Sequence, residues 1–160
     1  MSTFEVTSDT KPFEAEVRRV HRGLREFNAS VIGEADFRLI GVFARDDAGD
    51  LIGGLVGATY WKLLHIESLW VVDEHRRHGY ATRILEVAES EAVRRGCLGA
   101  FLDTFSFQAR PLYERLGYRV VGTIPGFPAG HERYFMVKSL EAKGAAFYGA
   151  DPVKPSDSSQ

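Results

Sequence analysis

The sequence predicts a mixed α/β fold with one sheet carrying both antiparallel and parallel pairings, and three observations lead there. Apolar residues at helical spacing come first, and two β-rich runs joined by turn residues follow. A strand–helix–strand stretch and a shorter helix then lead into two last strands. The antiparallel front and the strand–helix–strand centre belong to one mixed sheet.

Residues 10–28 are expected to form the first helix: Phe13, Val17, Val20, Leu24 and Phe27 share one face, with Thr10 as cap and Pro12 in the first turn. Residues 37–44 and 51–61 read as strands, and Arg45-Asp46-Asp47-Ala48-Gly49-Asp50 between them has turn chemistry. A third strand covers 64–72. Helix 79–95 carries the stripe Ile84, Leu85, Ala88 and Ala92 and stops at Gly96. Strand 98–104, a short helix over 108–116 and strands 118–124 and 133–140 complete the order. Residues 1–142 are read as one domain, and 143–160, rich in Ser, Asp and Pro, as a polar mobile tail.

With 160 residues, 44% hydrophobic and 26% charged, the chain has the make-up of an ordinary globular domain. A net charge of -2 with acids and bases interspersed argues against nucleic acid as a partner. The single cysteine, Cys97, rules out an intrachain disulfide and reads as a small buried thiol. No apolar stretch approaches the ~20 residues of a membrane span. No basic segment followed by an apolar run opens the chain. A cytoplasmic protein is expected.

The segment Arg76-Arg77-His78-Gly79-Tyr80-Ala81 joins the third strand to the second helix. A helix start leaves N–H groups unpaired at the positive end of its dipole. Gly79 allows close approach of the backbone to an anion, Ala81 keeps that approach unhindered, and Arg76 and Arg77 add charge. The turn is thus an anion site or a plain connection with solvated arginines. The phosphate-loop pattern G-x-x-x-x-G-K-[ST] and the dinucleotide fingerprint G-x-G-x-x-G are both missing here. His75 and His78 stand three apart, but beside two arginines a metal ion would be repelled, so no metal is expected.

Residues 71–85, with Arg76, Gly79 and Ala81 in a Q/R-x-x-G-x-G/A pattern, resemble the signature segment of the GCN5-related N-acetyltransferases. The run Ala109-Arg110-Pro111-Leu112-Tyr113-Glu114-Arg115-Leu116-Gly117-Tyr118 resembles the family's second stretch, aromatic-Tyr-Glu-Lys/Arg-x-Gly-aromatic. The resemblance covers roughly residues 4–141. It implies a mostly antiparallel sheet in which one parallel strand pair splays apart.

It also implies acetyl transfer from acetyl-CoA straight to an amine. Main-chain groups of Leu69, Trp70 and Val71 would hold the pantetheine arm and the thioester carbonyl. The N–H groups from Arg76 through Arg77, His78, Gly79, Tyr80 and Ala81 to Thr82 would wrap the pyrophosphate. Tyr113 would protonate the departing thiolate, its bland alternative being a core tyrosine. Many members have asparagine where this chain has Ser106, so that pantetheine contact rests on Ser106 or on Gln108. Glu67 is the first candidate for general base, set against a strand carboxylate paired with Lys62 or His65; Asp103 is the second.

The acceptor is less specified. Tyr60, Trp61, Trp70, Phe105, Phe107, Phe127 and Tyr134 are aromatics on strands or loops around the expected cleft. The loop 126–134 walls the acceptor or meets a second subunit of a homodimer. A small-molecule amine (an amine, amino acid or amine-bearing antibiotic) is the expected acceptor. A protein lysine or N-terminal amine is the alternative. A coenzyme-binding sensor without catalysis is the reading from another class.

Overall fold

A computed structural model describes residues 6–141. The expected tail at 143–160 lies outside the described residues. Two compact units divide the chain, one ending at Ala35 and the other beginning at Asp36.

The first unit holds helix α1, Glu14–Ile32. It starts later than the sequence suggested, because Phe13 is extended (φ -64°, ψ 139°) and neither Thr10 nor Pro12 is helical. The start is fixed by Glu16, whose carboxylate accepts the Phe13 N–H (3.3 Å), and by the acids Glu14 and Glu16 near the positive helix end. The far end runs past residue 28. Val31 and Ile32 still complete the last turn, and only Gly33, at φ 82°, breaks it.

The second unit is a sheet of six strands: β1 Arg38–Arg45, β2 Leu51–Tyr60, β3 Leu63–Val71, β4 Gly99–Phe105, β5 Arg119–Pro125 and β6 Glu132–Ser139. Their order across the sheet is β1-β2-β3-β4-β6-β5. All pairs are antiparallel except β3–β4. Helix α2, Tyr80–Arg94, buries Ile84, Leu85, Ala88 and Ala92 in the core, the stripe expected from the sequence. Helix α3, Arg110–Arg115, buries Tyr113. Strand boundaries fall within a residue or two of the expected ones, as fraying ends allow.

Arg95 pins the end of α2 to the edge of the sheet. Its guanidinium donates to the carbonyls of Arg38 and Leu39 and to Thr59 Oγ1. Glu91 holds the same guanidinium from behind, at 2.7 Å. Hydrogen bonds from Arg94 and Arg95 keep the Glu91 carboxyl well below the usual range, at about 2. Cys97 is buried, and burial pushes its thiol pKa up, as befits a packing residue.

Candidate active site

The site arises where the sheet opens. Strands β3 and β4 pair only from Leu63↔Gly99 to Ile66↔Leu102, and beyond that they part. At the same level the β2–β3 register slips: Val56 faces Ser68, while Gly57 faces Ile66. Glu67 is therefore the extra residue of a β-bulge, which bends β3 away from β4. Gly57 allows the close approach this requires, since a Cβ there would sit 2.1 Å from the His65 carbonyl oxygen.

The wedge is a cavity of about 820 Å³ lined on one side by β3 from Ile66 to Val71 and on the other by β4 and α3. Past the bulge, the β3 edge turned toward the gap has no pairing strand among the described residues. The Val72 N–H donates to Ile52 O (2.9 Å), toward β2. Successive strand residues turn their N–H groups to opposite edges, so those of Leu69 and Val71 face the gap and that of Trp70 faces β2. Trp70 contributes to the cavity lining with half its surface exposed.

The mouth of the wedge is the turn into α2. A single 3-10 turn over Asp73–His75, unforeseen from the sequence, leads into it. Arg76 is locked there, with Nε donating to Val71 O (3.1 Å) and a terminal nitrogen 2.7 Å from Asp73. Arg77 and Gly79 both take left-handed backbone (φ 63° and 85°), which turns the chain sharply into the helix. The first helical bond runs from Arg83 N to Gly79 O (3.0 Å), so the N–H groups of Tyr80, Ala81 and Thr82 have no helical acceptor. The helix start has no side-chain cap and no acid in its first turn. An uncapped positive helix end on a cavity fits a phosphate group. His78 is exposed and outside the lining, and His75 packs edge-on to Tyr80 (5.6 Å). No three metal-ligating side chains converge among the described residues.

Deeper in the wedge are the two acid–base candidates. Glu67 is exposed at the bulge and lines the cavity. It makes no ion pair with Lys62 or His65. Asp103 also lines the cavity, but Arg133 Nε holds its Oδ2 at 2.7 Å, with the guanidinium over the Phe105 ring (5.3 Å). Sequence spacing gave no sign of that pair, because its partners come from β4 and β6. Tyr113 is 7% exposed, and its hydroxyl has no hydrogen-bond partner among the described residues. Burial first, and the Asp103 charge second, push its phenol up to about 12.

The folded chain thus keeps the Tyr113 proton to about pH 12, whereas an unfolded chain releases it near 10. This contribution is fully present below pH 10 and is lost as pH rises toward 12. Urea denaturation at pH 9, 10 and 11 should show the wild type losing stability relative to Tyr113→Phe, by on the order of 2 kcal/mol over the whole window. Parallel curves for the two proteins would contradict the assignment.

Ser106 stands outside the lining. Its hydroxyl accepts the Glu132 N–H (3.3 Å) and meets His131 Nδ1 (3.0 Å), tying the β4 end to the start of β6. Gln108 does line the cavity; its Oε1 accepts from Thr104 Oγ1 (3.1 Å) and the Phe105 N–H (2.9 Å). Of the seven aromatic candidates only Trp70 and Phe107 line the wedge. Tyr60 and Trp61 belong to a separate cluster with Phe37, His65 and Phe101, at the closed end of the β3–β4 pair. Phe105 and Phe107 stack (5.2 Å), and Phe127 and His131 meet them edge-on, which seats the 126–131 loop beside the cleft.

A mixed sheet that splays at a bulge, with an anion-ready helix start at the mouth, defines the frame of an acyl-group transferase. Residues 3–118 match the profile of the Acetyltransferase (GNAT) family. The chain belongs to that family, whose members use acetyl-CoA, and it is an acetyltransferase. It is 36% identical to blasticidin-S acetyltransferase of Streptomyces morookaense over 119 residues, 73% of this chain and 88% of that one. With an acetyltransferase of Agrobacterium fabrum the identity is 35% over 133 residues, covering 83% and 96%. The crystal structure of an acetyltransferase from Bacillus cereus superposes with a TM-score of 0.77 at 29% identity, covering 83% of this chain and 97% of that one. No helix among the described residues is long and apolar enough to cross a membrane.

Proposed function

We propose that the protein moves the acetyl group of acetyl-CoA directly to an amine of a small molecule. The observation that carries this is the pairing, in one cavity, of a carboxylate on a bulge and a buried phenol, neither of which has a hydrogen-bond or ion-pair partner among the described residues. Acetyl-CoA supplies an activated acyl carbon, and the chain's residues do the rest. The N–H groups at the start of α2, with Arg76 and Arg77, hold the pyrophosphate. The unpaired edge of β3 at Leu69 and Val71 holds the pantetheine arm. Gln108, whose amide nitrogen has no partner among the described residues, supplies the side-chain contact assigned to asparagine in many members.

An alkylamine of pKa ~10.4 is almost fully protonated at pH 7, so Glu67 takes a proton from the acceptor's ammonium and frees the lone pair of the neutral amine that attacks the thioester carbon. The Leu69 N–H faces the carbonyl oxygen as negative charge develops there, a contribution of about 3 kcal/mol. Tyr113 Oη–H meets the departing sulfur. Asp103 is the weaker candidate base because its charge is already engaged by Arg133.

A small-molecule acceptor is supported by the Streptomyces morookaense relative, a blasticidin-S acetyltransferase. The test is thiol release from acetyl-CoA against a panel of small amines and lysine-bearing peptides. Turnover of a small amine is the expected result, and turnover of peptides alone would replace this reading with the protein-directed one. With the amine found, Glu67→Gln should lower kcat/KM about 10²-fold and flatten its acid limb. An unchanged profile would transfer the role to Asp103 or to solvent.

A further inference from the structure

Helix α2 packs on one face of the sheet, and the other face carries a row of side chains the mechanism has not used. Val71 is buried in the core under α2, and Val42 and Ala44 pack against that core. Their chain neighbours Trp70 and Phe43 therefore point to the opposite face. There they share one cross-strand row: Phe43 of β1 faces Gly54 of β2, and Gly54 faces Trp70 of β3. Glycine lets one of the two rings lie down. A Cβ on Gly41 would sit 2.8 Å from Phe43 Cε2 and 2.9 Å from its Cζ, and a Cβ on Gly54 would sit 2.8 Å from its Cδ1. The Phe43 ring thus rests across two bare glycines on neighbouring strands and turns a flat side outward, 56% exposed. Trp70, 50% exposed, stands across Gly54 from it and belongs to the cavity wall.

Single exposed apolar side chains need no function. This pair differs because it is continuous with the cavity and ends on a charge. From Trp70 the same face of β3 runs back through Ser68, which lies opposite the exposed Val56, to Glu67 on the bulge. At ~3.3 Å per residue that path is about 7–10 Å long. It offers a flat aromatic floor and wall at one end and a carboxylate at the other. We infer that the acceptor is an arylalkylamine, with a planar ring seated on Phe43 against Trp70 and a short chain that brings its ammonium to Glu67. The inference rests on the amine reading above and narrows its substrate class. One ammonium proton passes to Glu67, and the nitrogen bonds the acetyl carbon as the carbon–sulfur bond breaks. The nitrogen's second proton ends on the sulfur, beside Tyr113.

Steady-state kinetics of the full chain with phenylbutylamine and with hexylamine, both at saturating acetyl-CoA, separate ring from chain. The wild type should show a kcat/KM about tenfold higher for the phenyl amine, carried by KM, since ring contacts act alike on ground and transition states. Phe43→Ala should bring that ratio close to one, and Phe43→Tyr should keep it. Gly41→Ala removes no aromatic group and adds one methyl group beneath the movable end of the Phe43 ring, so it should also lower the ratio. Thermal melts show that each variant is folded. Equal kcat/KM for the two amines in the wild type, turnover of ringless amines only, or a ratio untouched by Phe43→Ala would overturn the inference and leave the amine reading standing. The open face would then belong to another occupant, such as a second copy of the chain. A wild type that acetylates no small amine at all would overturn the amine reading, and the inference with it.

Discussion

Tyr113→Phe is expected to lower kcat by about 10²-fold while leaving the affinity for acetyl-CoA little changed. The size follows from what the phenol can do at its pKa of about 12. An alkyl thiol ionises near 8.5, so complete proton transfer from Tyr113 to a free thiolate runs uphill by about three units, roughly 4–5 kcal/mol. In the proposed mechanism the phenol would therefore serve chiefly as a fixed hydrogen-bond donor to sulfur as negative charge gathers there. A hydrogen bond to a charged atom is worth about 1.5–3 kcal/mol, and 2.7 kcal/mol corresponds to a factor of about 10² in rate. Burial keeps the donor protonated across the working range, and among the described residues its hydroxyl has no bond to give up. Single-turnover rates with saturating acetyl-CoA and amine check the prediction. Unchanged turnover with an unchanged pH profile would return Tyr113 to the role of a core aromatic.

Much of this arrangement was legible in the sequence, for reasons specific to each residue. The α2 stripe and the glycine at 79 are local signals, and the structure puts both where spacing placed them, with Gly79 in left-handed backbone. Tyr113 was legible through its neighbours in the motif. The bulge was not, because whether Glu67 has a partner depends on the register of β2 against β3, which no local pattern states. The Asp103–Arg133 pair joins residues 30 apart across two strands and shows only when β4 and β6 lie side by side. Ser106 looked like the substitute for asparagine by position alone. Its side chain instead turns to His131, while Gln108, two residues on, reaches the cavity. At α1, proline and threonine suggested a start that the Glu16 carboxylate and extended Phe13 moved downstream.

The second large effect is expected at Gly57, which has no side chain to act as acid or base. The Cβ of an alanine there would lie 2.1 Å from the His65 carbonyl oxygen and 3.3 Å from the Ile66 Cα. Both are backbone atoms of β3, so no flexible side chain can yield and the strand itself must move. Overpacking of this kind costs about 3 kcal/mol, at the upper end of its usual range. For a chain of this size that lowers Tm by roughly 6–12 °C. The same displacement acts on function, because the residue after Ile66 is Glu67 and the residues beyond it form the open edge of β3. A misplacement of ~1 Å at a reacting group is worth about 10²-fold in rate. Gly57→Ala should therefore lower both Tm and the kcat of the fraction that remains folded, whereas Tyr113→Phe lowers kcat alone at neutral pH. Urea denaturation and kinetics well below the Tm of the variant separate the two effects. A variant with wild-type stability would show that β3 yields at Gly57 without cost, and the bulge would then be no rigid seat for Glu67.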